Sequence, residues 1–206
     1  MAITLQKFSV NGAAGHLEGI AHVPDASPRA IAVVAHPLPT MGGTMDNKVA
    51  VTLAKAFTEL GCAALRFNFR GVGASAGEFT GGDGEEQDLL AVVHYAREQF
   101  GDDLPLILSG FSFGGYVAAR AAQHLHPQHL VLAAPAVGRF SMPAVSPDTL
   151  VVHGEHDDVV PLADALQWAR PQHLPVVVLP EAGHFFHARL TQLRDIVLRH
   201  FNGVEL

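Results

Sequence analysis

The chain has 206 residues, with 13 Lys and Arg against 20 Asp and Glu for a formal net charge of −7. That length suits one domain, residues 1–206, able to bury roughly 70% of the surface its unfolded chain exposes without help from a metal or a disulfide. An acidic balance with no Lys/Arg-rich tract excludes a nucleic-acid-binding face. Without a charged start and long apolar run in MAITLQKFSV, or any apolar segment of about 18 residues, neither a signal peptide nor a membrane span is expected.

Ile3 to Val23 alternates loosely between apolar and polar residues through the turn signal Asn11-Gly12, which predicts an antiparallel hairpin at a sheet edge. Beyond it, short β-branched apolar runs alternate with helical segments, the pattern of parallel strands covered on both faces. Strands are predicted at Ala30–Ala35, Ala63–Asn68, Pro105–Gly110, His129–Ala134, Thr149–Gly154 and Pro175–Leu179. Helices are predicted near Asp46–Leu60, Gly84–Phe100, Phe113–His126, Leu162–Ala169 and His187–Phe201. Asp46 and Asp83 suit helix N-caps, and Gly61 and Gly101 suit C-terminal caps. The fold class is therefore α/β, a three-layer, doubly wound, mostly parallel sheet with an antiparallel N-terminal edge. The lone cysteine, Cys62, has no partner in the chain, which favours a reducing compartment and a cytoplasmic location.

The most informative stretch is Leu106-Ile107-Leu108-Ser109-Gly110-Phe111-Ser112-Phe113-Gly114-Gly115, where an apolar strand runs through G-x-S-x-G into an alanine-rich helix. That context is required of a nucleophile elbow: the turn is sharp, small residues let strand and helix approach, and Ser112 is presented above the sheet at a helix N-terminus. A serine hydroxyl is a weak nucleophile at neutral pH and needs a base, held by an acid. In doubly wound sheets reactive groups gather at the carboxyl ends of strands. Two later strand ends supply them: HGEHDDVVP offers Asp157 and Asp158, and PEAGHFF offers His184, with His187 as a competitor. The chain order Ser, Asp, His is that of α/β-hydrolases.

In the segments HPLPTMGGTMDNKV, RFNFRGVGASAGEF, GFSFGG, HGEHDDVVP and EAGHFF, the chain resembles small, lid-less serine hydrolases of the α/β-hydrolase superfamily. The resemblance is to carboxylesterases and, distantly, to dienelactone hydrolases, although those carry cysteine at the elbow. It implies Ser112, Asp157 and His184 as the catalytic triad, Asp157 by the pattern G-x-x-D on Gly154-Glu155-His156-Asp157. Lids in this superfamily follow the strand after the elbow, and the short Val137–Asp148 connection leaves no room for one. The oxyanion hole is expected from the N–H of Phe113 and, since Pro37 and Pro39 cannot donate, from that of Leu38. His36 would support that loop. Met41, Phe111 and Phe185 are candidates for the substrate pocket, with Met45, Phe79, Phe186 and Trp168 as further apolar possibilities.

Arg66, Asn68 and Arg70 suit either a substrate carboxylate or a brace between loops, with Asp83, Glu85 or Asp88 as partners. The compact His153-Gly154-Glu155-His156-Asp157 lacks the helical HExxH arrangement of a metal site, and Gly71-Val72-Gly73-Ala74-Ser75-Ala76 has alanine at the sixth position, where a dinucleotide loop G-x-G-x-x-G has glycine, so no metal or cofactor is expected. The expected function is hydrolysis of a carboxylic ester or related small acyl substrate through an acyl-serine. Alternatives are a thioesterase or small peptidase with the same residues, or a non-catalytic binding protein on this scaffold. No partner beyond the small acyl substrate is expected, and the oligomeric state is not encoded in these motifs.

Overall fold

The computed structural model describes residues 3–204. Strands β1 (Ile3–Gly12), β2 (Gly15–Pro24), β3 (Ile31–Ala35), β4 (Ala63–Phe67), β5 (Leu106–Phe111), β6 (His129–Ala133), β7 (Leu150–Gly154) and β8 (Val176–Leu179) form one sheet. Its order is β1-β2-β4-β3-β5-β6-β7-β8, parallel from β4 to β8, with β1 and β2 antiparallel at one edge. Helices α1 (Lys48–Glu59), α2 (Asp83–Phe100), α3 (Phe113–Leu125), α4 (Leu162–Ala169) and α5 (Leu190–His200) cover both faces.

Strand periodicity explains the layering. Leu106 and Leu108 of β5, Leu130 and Leu132 of β6 and Leu65 of β4 point to one face, where they pack with Leu89, Val92 and Val93 of α2 and Val117 of α3. The alternate residues Ala64, Ile107, Val131 and Val152 point to the other, against Val49 and Leu53 of α1 and Leu193 and Val197 of α5. Because both faces are buried, the central strands read as continuous apolar runs.

Several boundaries move from the sequence expectation. The hairpin turn is Ala13-Ala14, not Asn11-Gly12, because Asn11 still pairs with His16 and Gly12 with Gly15. Asp46 is not the cap of α1: the Asn47 side chain accepts from the Val49 N–H at 2.9 Å, and Asp46 pairs with Arg66 at 3.0 Å. Asp83 opens α2 without capping it; the Glu85 carboxylate accepts from the Gly82 N–H at 2.7 Å, and Asp83 pairs with Arg120. Helix α5 starts at Leu190, three residues later than expected, because Phe186 and Ala188 take left-handed conformations. Between β6 and β7 the chain forms turns, irregular backbone and one isolated bridge, Val137 to Phe140, and no lid covers the sheet's carboxyl edge among the described residues. Among the described residues no helix is long and apolar enough to cross a membrane.

Candidate active site

The turn from β5 to α3 is as tight as its glycines allow. A Cβ on Gly110 would lie 2.1 Å from the Gly114 carbonyl oxygen, and one on Gly114 would lie 2.2 Å from that of Ala35. Between them Ser112 is held at φ 55 and ψ −117, a region rare for residues with a side chain. Its carbonyl accepts from Gly115, Tyr116 and Ala136, which ties the elbow to both its own helix and the loop after β6.

Ser112 Oγ lies 2.9 Å from His184 Nε2, and His184 Nδ1 lies 2.7 Å from Asp157 Oδ2. All three residues are buried. Asp157 Oδ1 accepts from the N–H groups of Val159 (2.9 Å) and Val160 (2.7 Å). Burial opposes ionisation of this carboxyl, but the His184 hydrogen bond and the two backbone donors outweigh it and hold it below the ordinary aspartate range. Ionised Asp157 takes the Nδ1–H, so His184 Nε2 is free to accept the serine proton. Asp158 is exposed and takes no part, and His187 is exposed beside the Phe185 ring.

The N–H groups of Phe113 and Leu38 have no acceptor among the described residues, and both residues line the same cleft. Behind that cleft, His36 Nδ1 donates to the Pro37 carbonyl at 2.6 Å and Nε2 accepts from the Phe69 N–H at 3.1 Å. Burial lowers the His36 pKa to about 4, against the opposing pull of the Pro37 carbonyl, so the ring is neutral. In a trans peptide the Leu38 N–H points opposite to the Pro37 carbonyl, and therefore away from His36.

The cleft over Ser112 measures about 330 Å³ and is lined mainly by apolar groups, including Met41, Phe140, Val159 and Phe185. Met41 and Phe185 thus stand where substrate residues were expected. Phe111 does not. Strand alternation turns its side chain into the core beneath α1 and α5, where its ring supports His184 at a centroid distance of 4.9 Å. Phe79, Phe186, Met45 and Trp168 also lie outside the cleft. Arg66 and Arg70 brace loops: Arg70 grips Asp88 through Nε and Nη2, and Arg66 meets His22, Asp46 and the Met45 carbonyl. Asn68 joins Glu18 to Met45 in the same layer.

A family model, Hydrolase_4, described as serine aminopeptidase, S33, matches residues 26–148. The chain belongs to this family of α/β serine hydrolases. The match contains the elbow and ends before Asp157 and His184. An uncharacterized Rickettsia prowazekii protein is 35% identical over 144 residues, which is 69% of this chain and 56% of that protein, so the chain spans little more than half of this relative. Among solved structures, the lid-less α/β serine hydrolase XC6422 from Xanthomonas campestris is 37% identical, covering 98% of this chain and 96% of its own at a TM-score of 0.91. An α/β serine hydrolase homologue from Coxiella burnetii is 36% identical, covering 97% and 98%, with a TM-score of 0.85.

Five cleft residues of this hydrolase escaped the sequence reading: Asn47, Ala136, Arg139, Phe140 and Val159. Four of them follow β6 or β7, in the loops beyond strand carboxyl ends where sites of this topology form.

Proposed function

We propose that this α/β hydrolase cleaves small carboxylic esters through an acyl-Ser112 intermediate. The hydrogen-bonded line from Ser112 Oγ through His184 to Asp157 carries the proposal. His184 Nε2 takes the serine proton as Oγ attacks the ester carbonyl, and Asp157 stabilises the imidazolium that forms. The oxyanion sits between the N–H groups of Phe113 and Leu38, each such donor being worth about 10²–10³ in rate. As the tetrahedral species collapses, His184 returns the proton to the departing alcohol. A water molecule then repeats the sequence on the acyl-enzyme, and releases the carboxylic acid.

The cleft's composition favours an ester over a peptide bearing a free amino terminus. Among its lining residues there is no carboxylate to receive an ammonium group, and the one permanent charge, on Arg139, would repel it. The cleft's small volume and lack of a lid favour short acyl chains. The same proposal needs no cofactor and takes the chain as one catalytic domain; it assigns the protein to the cytoplasm, in keeping with a single thiol, Cys62, buried in the core.

A fluorophosphonate probe tests it directly. Wild-type protein should be labelled and Ser112→Ala should not; labelling that survives the substitution puts the nucleophile elsewhere, and an unlabelled wild type favours a binding protein. With p-nitrophenyl esters, acetate or butyrate should outpace long-chain esters, and Ser112→Ala, Asp157→Asn and His184→Ala should each lose at least about 10³-fold in kcat.

A further inference from the structure

Arg139 differs from the arginines that hold this fold together. Arg66, Arg70, Arg120, Arg189 and Arg194 each meet a carboxylate. Arg139 meets none among the described residues, and its exposed guanidinium has no hydrogen-bond acceptor there. Among the described residues it is also the only permanently charged side chain lining the cleft over Ser112.

Its position is fixed by both flanks. On one side, the Ala136 N–H donates to the Ser112 carbonyl at 3.1 Å. On the other, the Phe140 N–H returns to the Ala136 carbonyl at 3.3 Å, and the Phe140 ring packs on Phe113 and Tyr116 at centroid distances of 5.2 and 4.8 Å. Arg139 is therefore the tip of a short turn anchored to the elbow. Three residues span at most about 11 Å, so the base of this long side chain stays within reach of a small molecule seated on Ser112.

The direction of the acyl group follows from the proton's path. The leaving alcohol must lie beside His184, and so beside Phe185, whose ring contacts His184 at 5.1 Å. Of the walls left for the acyl part, the one made by Phe140 and Arg139 offers a permanent charge, and that made by Leu38, Met41 and Asn47 does not. A planar guanidinium lining an apolar cleft is suited to a carboxylate, which it binds through paired N–H groups. Because the whole chain carries −7, its general field repels an anion, and selection for one must come from a local cation.

We propose that the substrate is a short ester carrying a carboxylate on its acyl part, a half-ester of a dicarboxylic acid, and that Arg139 binds that carboxylate. This rests on the acyl-Ser112 proposal, and the test separates the two. Hydrolysis is compared between mono-4-nitrophenyl glutarate, neutral 4-nitrophenyl valerate, and 3-carboxyphenyl valerate, which carries its anion on the leaving group. Wild type should prefer the glutarate ester. Arg139→Gln should lower its kcat/KM by about 10- to 100-fold, chiefly through KM, and leave both valerate esters within about twofold. Arg139→Lys should restore part of the loss. An equal response of all three esters overturns the proposal, as does an effect confined to 3-carboxyphenyl valerate. Binding of intact mono-4-nitrophenyl glutarate to Ser112→Ala, followed by calorimetry, gives a readout free of turnover. Binding that weakens when Arg139→Gln is added supports the anion site even if no ester is hydrolysed, an outcome that would sink only the acyl-serine step. Binding that is absent, or unchanged by Arg139→Gln, rejects the site.

Discussion

His36 and Phe69 are joined across two loops by a hydrogen bond of 3.1 Å, the Phe69 N–H donating to Nε2 of a fully buried imidazole. The opposite nitrogen holds the Pro37 carbonyl, so the peptide whose N–H faces the cleft at Leu38 is oriented from the far side of the sheet edge. His36→Leu keeps the volume but leaves the Phe69 N–H without its partner, at a cost of about 1–3 kcal/mol. Urea unfolding should show that loss. Ester hydrolysis should fall about 10-fold or more in kcat with KM little changed, since the donor is needed most as charge develops. A stability loss with undiminished kcat would make His36 a packing residue only.

Buried histidines also set the acid limit of the fold. His36 and His22 both have pKa values lowered to about 4, chiefly by burial; at His22 the charges of Arg66 and Lys55 add to it. In the unfolded chain both titrate near 6.5. Their folded forms resist protonation, so their contribution is complete above pH 6.5 and is lost as pH falls toward 4, on the order of 3 kcal/mol for each. His153, His129 and His200 shift in the same direction, again mainly by burial. Asp157, held below its ordinary value, titrates lower and does not offset this loss. Urea midpoints measured between pH 7 and 4.5 should drop steeply, and the drop should be shallower in His36→Leu. A flat profile over that range would contradict neutral, buried imidazoles.

The strand and helix order was legible because parallel strands buried on both faces leave unbroken apolar runs, and because G-x-S-x-G carries a steric demand visible in the sequence itself. Asp157 and His184 were legible for a related reason: each follows a strand end, where the topology gathers loops. What failed was local. The Asn11-Gly12 signal was overridden by pairing that runs on to Gly12 and Gly15. Phe111 is one of several apolar candidates for the pocket, but strand alternation turns its ring to the face away from the cleft. Arg139 and Phe140 lie in a segment with no periodicity, and only the anchoring of Ala136 to Ser112 brings them to the site.

Ser112 stores strain that serves presentation of its hydroxyl and not folding. At φ 55 and ψ −117 a Cβ is costly, by about 1–3 kcal/mol. Ser112→Ala removes the hydroxyl but keeps the Cβ, whereas Ser112→Gly removes both. Allowing for the greater entropy of glycine in the unfolded chain, Ser112→Gly should melt above Ser112→Ala by roughly 2–4 °C, as read by calorimetry. Both variants should be inactive. Equal melting temperatures would mean the turn is not strained at this residue.

His153 and His184 both lie against Asp157. Its Nε2 donates to the Val160 carbonyl at 2.8 Å and lies 3.4 Å from Asp157 Oδ2, the oxygen bonded by His184 Nδ1. Its Nδ1 is buried with no partner among the described residues, at a cost of about 1–3 kcal/mol. Burial keeps the ring neutral, although the Val160 carbonyl and Asp157 pull the other way, so the donated proton stays on Nε2. The imidazole therefore ties the Val160 end of the Asp157–Val160 turn and packs beside the carboxylate. His153→Phe should relieve the unpartnered nitrogen but leave the buried Val160 carbonyl without its donor, lowering stability by about 1–3 kcal/mol and kcat about 10-fold. His153→Gln, which can still donate to Val160, should recover part of that rate. Steady-state kinetics beside urea unfolding separate the two effects: a His153→Phe protein that keeps full kcat would show that Asp157 needs only His184 and its two backbone donors.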